Sequence, residues 1–352
     1  MRQNLSPEEY DSARGSTPNA HFTSPVVVQA LWQAMERFGL TLGAQILEPS
    51  MGVGHFFGLM PEPLLPGCRR TGVELDSITA RIAKQLYPDA SILAKGFEDT
   101  ALPDNFFDAV VGNIPFGNYP VHDPAYRNSP VTRTIHDYFL AKSLDKLRAG
   151  GVMALITSRY TMDKQDSTIR LPNTAFKANA GTEVTTDILF LQKRAPGSAS
   201  SREGEAWREL APIDTPDGAV SVNEYFARHP EMMLGEMRLE GTMYREREPT
   251  LAGELSPVRL AQAVASLPDG ICTARNAGPG EQARPPPESA DLVEADGTDV
   301  KDGGYAVRDG LLAIRRGPVF ETAKVRGSVR VAYPRAARRL RRRNALARRG
   351  GC

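Results

Sequence analysis

The sequence predicts an α/β fold with a doubly wound, mostly parallel sheet, followed by a poorly structured C-terminal region. Three observations lead to this prediction. Between residues 21 and 194, short apolar stretches alternate with amphipathic stretches of helix length, which is the pattern of repeated βαβ units. A Gly-x-Gly loop follows the first strand, and the acid Glu74 lies twenty residues beyond Gly54. An Asn-Ile-Pro-Phe sequence at 113–116 ends a later strand, and α/β sheets bind ligands at such strand ends.

Composition excludes some functions and leaves others open. The 352 residues include 43 Lys and Arg against 42 Asp and Glu, so net charge alone does not indicate nucleic acid binding. The three cysteines are far apart and odd in number, so they predict neither a disulfide framework nor a zinc site. No N-terminal apolar core resembles a secretion signal, and no apolar run approaches the ~20 residues that span a bilayer. We therefore expect a cytoplasmic protein with no membrane partner and no metal.

The first predicted elements are a helix and a strand. Ser24 at the N-cap and Pro25 at the first helical position predict where the helix begins, and Gly39 predicts where it ends. Apolar residues at helical spacing lie between them: Val27, Val28, Leu31, Trp32, Met35 and Phe38. Residues 44–48 then predict a short strand. The loop 49–54, Pro-Ser-Met-Gly-Val-Gly, has two glycines that let the backbone come close to a ligand, although Gly-x-Gly is also common in ordinary turns.

A second strand is predicted over 71–76, then a helix over 77–86 and a third strand over 91–93. The spacing from Gly54 to Glu74 is the one at which nucleotide-binding βαβ units place an acid on ribose hydroxyls. The alternative is a solvated carboxylate at a helix start, and it is a stronger rival for Asp76 than for Glu74. After the third strand, the sequence Gly-Phe-Glu-Asp at residues 96–99 could meet the adenine ring of a bound cofactor.

The fourth predicted strand, residues 105–111, leads into the loop that contains Asn113. Pro115 has no N–H and therefore bars both strand pairing and an immediate helix. An Asn amide offers a donor and an acceptor to a planar amine or amide, and the ring of Phe116 offers a stacking surface. The alternative is an ordinary Asn-Pro turn capped by a core Phe. A helix over 135–147 and a strand over 152–157 follow.

The remaining chain is divided by composition. Residues 1–20 are polar and turn-rich and are interpreted as an arm. Residues 195–274 are interpreted as a linker with short helices near 220–233 and 258–267. Residues 275–352 are predicted to be largely disordered, with one hairpin around Asp309-Gly310.

The end of the chain is rich in arginine, with ten Arg between Arg326 and Arg349. This tail could bind phosphates. A tail translated in a wrong reading frame would look the same, and this is the interpretation that we favour. No helicase phosphate loop of the form Gly-x-x-x-x-Gly-Lys-Ser/Thr occurs in the sequence.

Residues 21–194 together resemble an N6-adenine DNA methyltransferase. The similarity is greatest to the methylase module of the large methylase–helicase fusion proteins of plasmids and conjugative elements. The matching blocks are His21–Pro25, Glu48–Phe56, Glu74, Phe97–Glu98, Asn113–Phe116, Ile135–Phe139 and Asn179–Arg194. The resemblance implies a Rossmann-like fold that uses S-adenosylmethionine, double-stranded DNA as substrate, and a helicase region as partner in the parent protein.

The resemblance also implies a role for each matching residue. The cofactor would be bound by Thr23, Glu48, Pro49, Ser50, Gly52, Gly54, Glu74, Phe97 and Glu98. Catalysis at the N6 atom of a flipped adenine would use Asn113, Ile114, Pro115 and Phe116. No metal is implied.

Two departures from the family leave alternatives open. Ile114 replaces the first Pro of Asn-Pro-Pro-Phe, although its carbonyl is kept. Arg170 runs directly into Leu171, where the family has a helix and an edge strand, so we expect an internal loss that leaves the sheet one strand short. An inactive remnant that only binds cofactor or DNA is therefore one alternative. A protein glutamine methyltransferase is the other, because a glutamine amide is also a planar nitrogen.

Overall fold

The computed structural model describes residues 23–162, 168–175, 185–195, 197, 209–242 and 245–273, and three strands between residues 305 and 322. The chain divides into two units, Met1–Glu281 and Gln282–Cys352. Several segments discussed above lie outside the described residues: the arm at 1–20, His21 and Phe22, residues 179–184, residues 275–304 and the Arg-rich end.

A seven-stranded sheet with the order β3-β2-β1-β4-β5-β7-β6 organises the first unit. Strands β1 to β5 pair in parallel, β7 runs antiparallel to β5, and β6 runs antiparallel to β7. The strands are β1 (Gln45–Glu48), β2 (Arg69–Glu74), β3 (Ser91–Ala94), β4 (Phe107–Asn113), β5 (Leu147–Ser158), β6 (Thr168–Leu171) and β7 (Thr186–Gln192). The predicted doubly wound, mostly parallel sheet is confirmed.

Helices cover both faces of this sheet. The first half of the unit contains α1 (Pro25–Arg37), α2 (His55–Gly58), α3 (Ser77–Leu86), α4 (Ile135–Lys146) and α5 (Arg159–Met162). Successive strand residues point to opposite faces, and β4 shows the result. Ala109 and Val111 join the apolar cluster that contains α1, whereas Val110 joins the cluster that contains α4.

The expectation that the sheet lacks its edge strand is wrong. Arg170 and Leu171, the two residues at the presumed internal loss, lie in β6 and pair with Asp187 and Thr186 of β7. The Arg170 guanidinium also donates to both carboxylate oxygens of Asp187 at 2.8 and 2.9 Å, and both side chains are buried. The prediction failed because a strand of four residues is too short for its polar–apolar alternation to indicate a strand. Between β5 and β6, the described helix α5 has only four residues.

The outer edge of β6 is covered by chain from beyond residue 209. Leu234 N–H donates to the Arg170 carbonyl at 2.9 Å, and the Arg170 guanidinium lies 4.4 Å from the centre of the Phe226 ring. This later region contains β8 (Leu210–Thr215), β9 (Gly218–Asn223), α6 (Glu224–Arg228), β10 (Glu236–Thr242), β11 (Arg245–Ala252) and α7 (Pro257–Ala265). A paired edge is protected from pairing with other chains.

The helices expected after residue 195 are found in part. The helix near 258–267 is present as α7, which packs against α1. Near 220–233 the structure instead has the end of a hairpin, then α6 and a short 3-10 turn at Pro230–Met232. Val220 and Val222 are buried while Ser221 between them is exposed, which is the alternation of a strand.

The second unit contains a three-stranded antiparallel sheet made of β12 (Tyr305–Arg308), β13 (Leu311–Arg316) and β14 (Val319–Thr322). Strands β12 and β13 form the expected hairpin, and β14 extends it. Over the residues described in both units, no helix has the length and apolar character needed to cross a membrane.

Candidate active site

Three adjacent strands end in the residues that define the candidate site. Glu48 is the last residue of β1, Glu74 the last of β2 and Asn113 the last of β4. All three line one cavity of about 670 Å³, a size typical of sites for cofactors and other small molecules. The chain reverses its direction of winding between β1 and β4, and open α/β sheets bind their ligands at such a switch point.

Eleven of the thirteen predicted site residues line this cavity. They are Thr23, Glu48, Pro49, Ser50, Gly52, Glu74, Phe97, Glu98, Asn113, Ile114 and Pro115. The two that do not line it are Gly54 and Phe116. The sequence analysis missed several lining residues, among them Lys95, Tyr119, His122 and Phe139. A signal existed only for Phe139, which is spaced from Ile135, another lining residue, so that both lie on one face of a helix.

Glu74 fixes the glycine loop to the sheet. Its Oε2 accepts the Gly52 N–H at 2.8 Å and its Oε1 accepts the Asp76 N–H at 2.8 Å. Burial raises the pKa of Glu74, and these backbone hydrogen bonds partly oppose that shift. A carboxylate has about four acceptor positions, so Glu74 can still accept hydrogen bonds from ligand hydroxyls. Asp76 instead caps α3, accepting the N–H groups of Ile78 and Thr79. The alternative interpretation is right that Asp76 begins a helix, but its side chain is buried rather than solvated.

Gly54 has a packing role in this structure. Its backbone lies in the left-handed region, with φ +86°, and its carbonyl accepts the Tyr87 hydroxyl at 2.6 Å. A Cβ at this position would lie 2.4 Å from a ring carbon of Tyr87, so only glycine lets the loop rest on that ring. The sequence motif predicts a close approach of the Gly54 backbone to a ligand, whereas its close neighbour in the structure is Tyr87. This aromatic partner lies 33 residues away, and no local pattern indicates it.

Glu48 is the most unusual group in the cavity. Its side chain is buried, and its Oε2 accepts no hydrogen bond from the described residues. Burial, followed by the charge of Glu74, holds the pKa of Glu48 well above its usual range. A buried acceptor without a donor is costly. The cavity therefore fits a ligand with a cationic or hydrogen-bond-donating group at this point.

Asn113 is held in a defined orientation. Its Nδ2 donates to Thr23 Oγ1 at 3.2 Å, which turns the Oδ1 atom away from Thr23. The next backbone N–H, that of Ile114, donates to the Ile156 carbonyl of β5 at 3.1 Å. The loop is thereby fixed from two sides. Phe116 is half-buried and packs against the core rather than lining the cavity. Tyr119, which is 40% exposed, is an aromatic residue of this loop that does line the cavity.

The part of the cavity wall formed by Phe97 and Phe139, which we call the aromatic end, is apolar. Phe97 is buried, and its ring centre lies 5.1 Å from that of Phe139 on α4. Glu98 lies beside this pair and also lines the cavity. A flat apolar wall next to a carboxylate suits a heteroaromatic ring that carries an amino group. Within the described part of the chain, no group of three His, Cys, Asp or Glu is placed to hold a metal ion.

The strand order and the cavity at the ends of β1, β2 and β4 define a Rossmann-like α/β fold. No protein-family model matches the chain. The defense against restriction protein B of Escherichia phage P1 is 29% identical over 213 residues, which make up 55% of this chain and 9% of the phage protein. The modification methylase CviBIII of Paramecium bursaria Chlorella virus NC1A is 29% identical over 140 residues, 38% of this chain and 36% of that methylase. The chain is thus similar, over part of its length, to a modification methylase.

Solved structures include similar chains. The methyltransferase subunit of a type I restriction-modification system from Streptococcus thermophilus is 16% identical, with 64% of this chain and 61% of that chain covered and a TM-score of 0.43. The chain spans only a small part of the phage protein and about a third of the viral methylase.

Proposed function

We propose that this chain is a site-specific DNA methyltransferase that transfers the methyl group of S-adenosylmethionine to N6 of a flipped-out adenine. The observation that carries the proposal is the convergence of Glu48, Glu74 and Asn113 on one cavity at adjacent strand ends. The relationship to a modification methylase supports DNA as the substrate. Association with a helicase region in a longer parent protein stays a prediction.

The cavity residues fit the proposed cofactor. When bound, S-adenosylmethionine supplies an electrophilic methyl group on a sulfonium centre. Glu48, with its buried Oε2, would hold the ammonium group of the methionine end. Glu74 would accept the ribose hydroxyls, and the wall formed by Phe97 and Phe139 would pack on the adenine ring.

Asn113 and Ile114 would activate the acceptor nitrogen. The lone pair of N6 is delocalised into the purine ring, so this amine is a poor nucleophile. Asn113 Oδ1 and the Ile114 carbonyl would accept its two N–H bonds and favour a tetrahedral nitrogen, and such acceptors are effective because they are aimed in advance at the charge that develops. Thr23 serves this step indirectly, since its hydroxyl accepts Nδ2 and leaves Oδ1 for the amine.

The acceptor must enter from outside a base stack, because N6 of a paired adenine cannot reach the cofactor. Tyr119 lines the cavity near Asn113, and we assign the stacking on the flipped base to this ring in place of Phe116. The expected loss of a helix and an edge strand was the reason to consider an inactive remnant. Strand β6 supplies the edge strand, whereas the described helix between β5 and β6 has only four residues.

The test is transfer of tritiated methyl from the cofactor to double-stranded DNA, followed by identification of the labelled base. The expected product is N6-methyladenine. Asn113→Ala should lower the rate by about 100-fold or more, the usual effect of removing a preorganised catalytic acceptor or donor. Asn118→Ala is the matched control, because Asn118 is exposed and does not line the cavity.

Other outcomes would replace this proposal. Label on a protein glutamine and never on DNA would establish the alternative substrate. Cofactor binding without label on either acceptor would establish a remnant. An undiminished rate in Asn113→Ala would show that this loop does not activate the amine.

A further inference from the structure

A buried cluster of three polar side chains lies behind the aromatic end of the cavity. Lys142 Nζ is 2.8 Å from Asp123 Oδ2, and the same oxygen accepts the Tyr138 hydroxyl at 2.6 Å. The Asp123 and Lys142 side chains are only 3% and 4% exposed. None of the three lines the cavity, and the proposed reaction uses none of them.

The cluster joins three separate segments of the cavity wall. Lys142 Nζ donates to the Glu98 carbonyl at 3.3 Å and lies 5.1 Å from the centre of the Phe97 ring. Asp123 directly follows four consecutive lining residues, 119–122. Tyr138 and Lys142 belong to α4, which contributes Ile135 and Phe139 to the same wall. One ammonium group therefore connects the Phe97–Glu98 turn, the 119–123 loop and α4.

The 119–123 loop also has other supports: Val121 packs against the apolar cluster that contains α4, and the hydroxyl of Tyr126, just after the loop, donates to Asp145 of α4. Between β4 and α4, a stretch that the structure describes completely, the chain forms only two short 3-10 turns, Pro124–Tyr126 and Pro130–Arg133. The Val121 N–H donates to the Thr132 carbonyl at 2.9 Å, and Asp123 Oδ1 accepts the Ala125 N–H at 2.9 Å. These bonds shape the loop internally, whereas the bonds of Asp123 to Lys142 and Tyr138 attach it to α4.

We propose that Lys142 is a positioning residue, which holds the 119–123 loop and the Phe97–Glu98 turn against α4 and so sets the affinity for the adenine end of the cofactor. The inference rests on the proposed function, since that function assigns adenine to this end. Burial of Asp123 opposes its ionisation, but hydrogen bonds from Lys142 and Tyr138 outweigh it and lower the pKa of Asp123. The ionised form of Asp123 is therefore favoured, and a buried charge that loses its partner forces its surroundings to rearrange.

The experiment compares two ligands on the full chain. S-adenosylmethionine carries the adenosine and amino-acid ends, whereas 5′-methylthioadenosine lacks the amino-acid end. Lys142→Met should weaken the binding of both ligands by about tenfold or more, the scale on which supporting residues around a ligand act. Glu48→Gln should weaken only S-adenosylmethionine. A purely structural role for Lys142 would lower thermal stability and leave both dissociation constants unchanged.

Lys146→Met is the matched control. Lys146 lies one turn later on α4, is also buried and pairs with Asp104 at 2.5 Å, but it does not line the cavity or contact its wall segments through any described bond. Its removal should leave both dissociation constants unchanged. Calorimetric titration gives these constants, and circular dichroism verifies folding of each variant.

The outcomes separate the two proposals. If the parent chain binds neither ligand, the proposed function fails and the role of Lys142 falls with it. If the parent binds both and Lys142→Met binds them equally well, only the positioning role is overturned. Should Lys142→Met not fold, Asp123→Asn replaces it, since Asn keeps an oxygen for the Tyr138 hydroxyl but removes the charge. Unchanged affinities in folded Asp123→Asn, or failure of both variants to fold, would also overturn the positioning role.

Discussion

Glu48→Gln tests whether the buried carboxylate is a receptor for a cationic ligand. In the parent chain, burial and the neighbouring charge of Glu74 raise the pKa of Glu48, so the empty site favours the neutral form. A bound ammonium group would favour the ionised form, and binding would release a proton. Burial, followed by the charge of Glu48, raises the pKa of the nearby Tyr87 to about 12, so Tyr87 stays neutral at ordinary pH.

The expected magnitudes follow from these groups. A hydrogen bond to a charged partner contributes about 1.5–3 kcal/mol, so Gln should weaken S-adenosylmethionine binding roughly 10- to 150-fold. In the parent, affinity should rise with pH, by at most about tenfold per pH unit, up to the pKa of Glu48 in the empty site. In Glu48→Gln this pH dependence should disappear.

The assay is calorimetric titration in buffers of different ionisation enthalpy, which reports proton release directly. Glu36→Gln, an exposed acid on α1, is the control. Without cofactor, the raised pKa means that folded Glu48 contributes most to stability at low pH and loses that contribution as pH rises through its folded pKa. Glu48→Gln should therefore be more stable than the parent only at the higher pH. Equal affinity and equal proton release in both proteins would refute this reasoning.

Two further predictions concern stability, both measured by urea unfolding. Gly54→Ala should cost about 1–3 kcal/mol, because its Cβ meets the Tyr87 ring at 2.4 Å and overpacking adds to backbone strain. Gly52→Ala, which has a similar positive φ but open space around its Cβ, should cost less, and equal costs would contradict the packing role. Arg170→Met should cost about 3–5 kcal/mol by leaving Asp187 buried without its partner, and Arg170→Met with Asp187→Leu should recover much of this loss. A cost for the single variant no larger than that of an exposed substitution would contradict the structural role of the pair.

The site was predictable from the sequence where function depends on local geometry. Strand ends, glycines and the spacing to Glu74 are properties of consecutive residues, and the structure brings Glu48, Glu74 and Asn113 together as this spacing predicts. The placement of Phe116 was not predictable, because a ring next to Pro115 can turn towards the core or the cavity, and only tertiary packing decides.

The parts that the sequence did not indicate depend on distant partners. Strand β6 is held by a buried ion pair with Asp187 and by the segment around Leu234. These partners are distant in the sequence, and four residues are too few to indicate the strand by themselves. Lys142 and Asp123 read as ordinary surface charges on a helix and a loop. Their burial results from the packing of α4 over Phe97.

The contact between the first and last described helices of the first unit, α1 and α7, has a consequence for synthesis of the chain. The Arg37 side chain donates to the Leu267 carbonyl, a partner 230 residues later, and α7 packs against α1. At about 5–20 residues per second, the ribosome needs roughly ten to fifty seconds to make the intervening chain. During this interval the face of α1 that α7 will cover stays exposed, so the core of the first unit cannot be completed until α7 has been made.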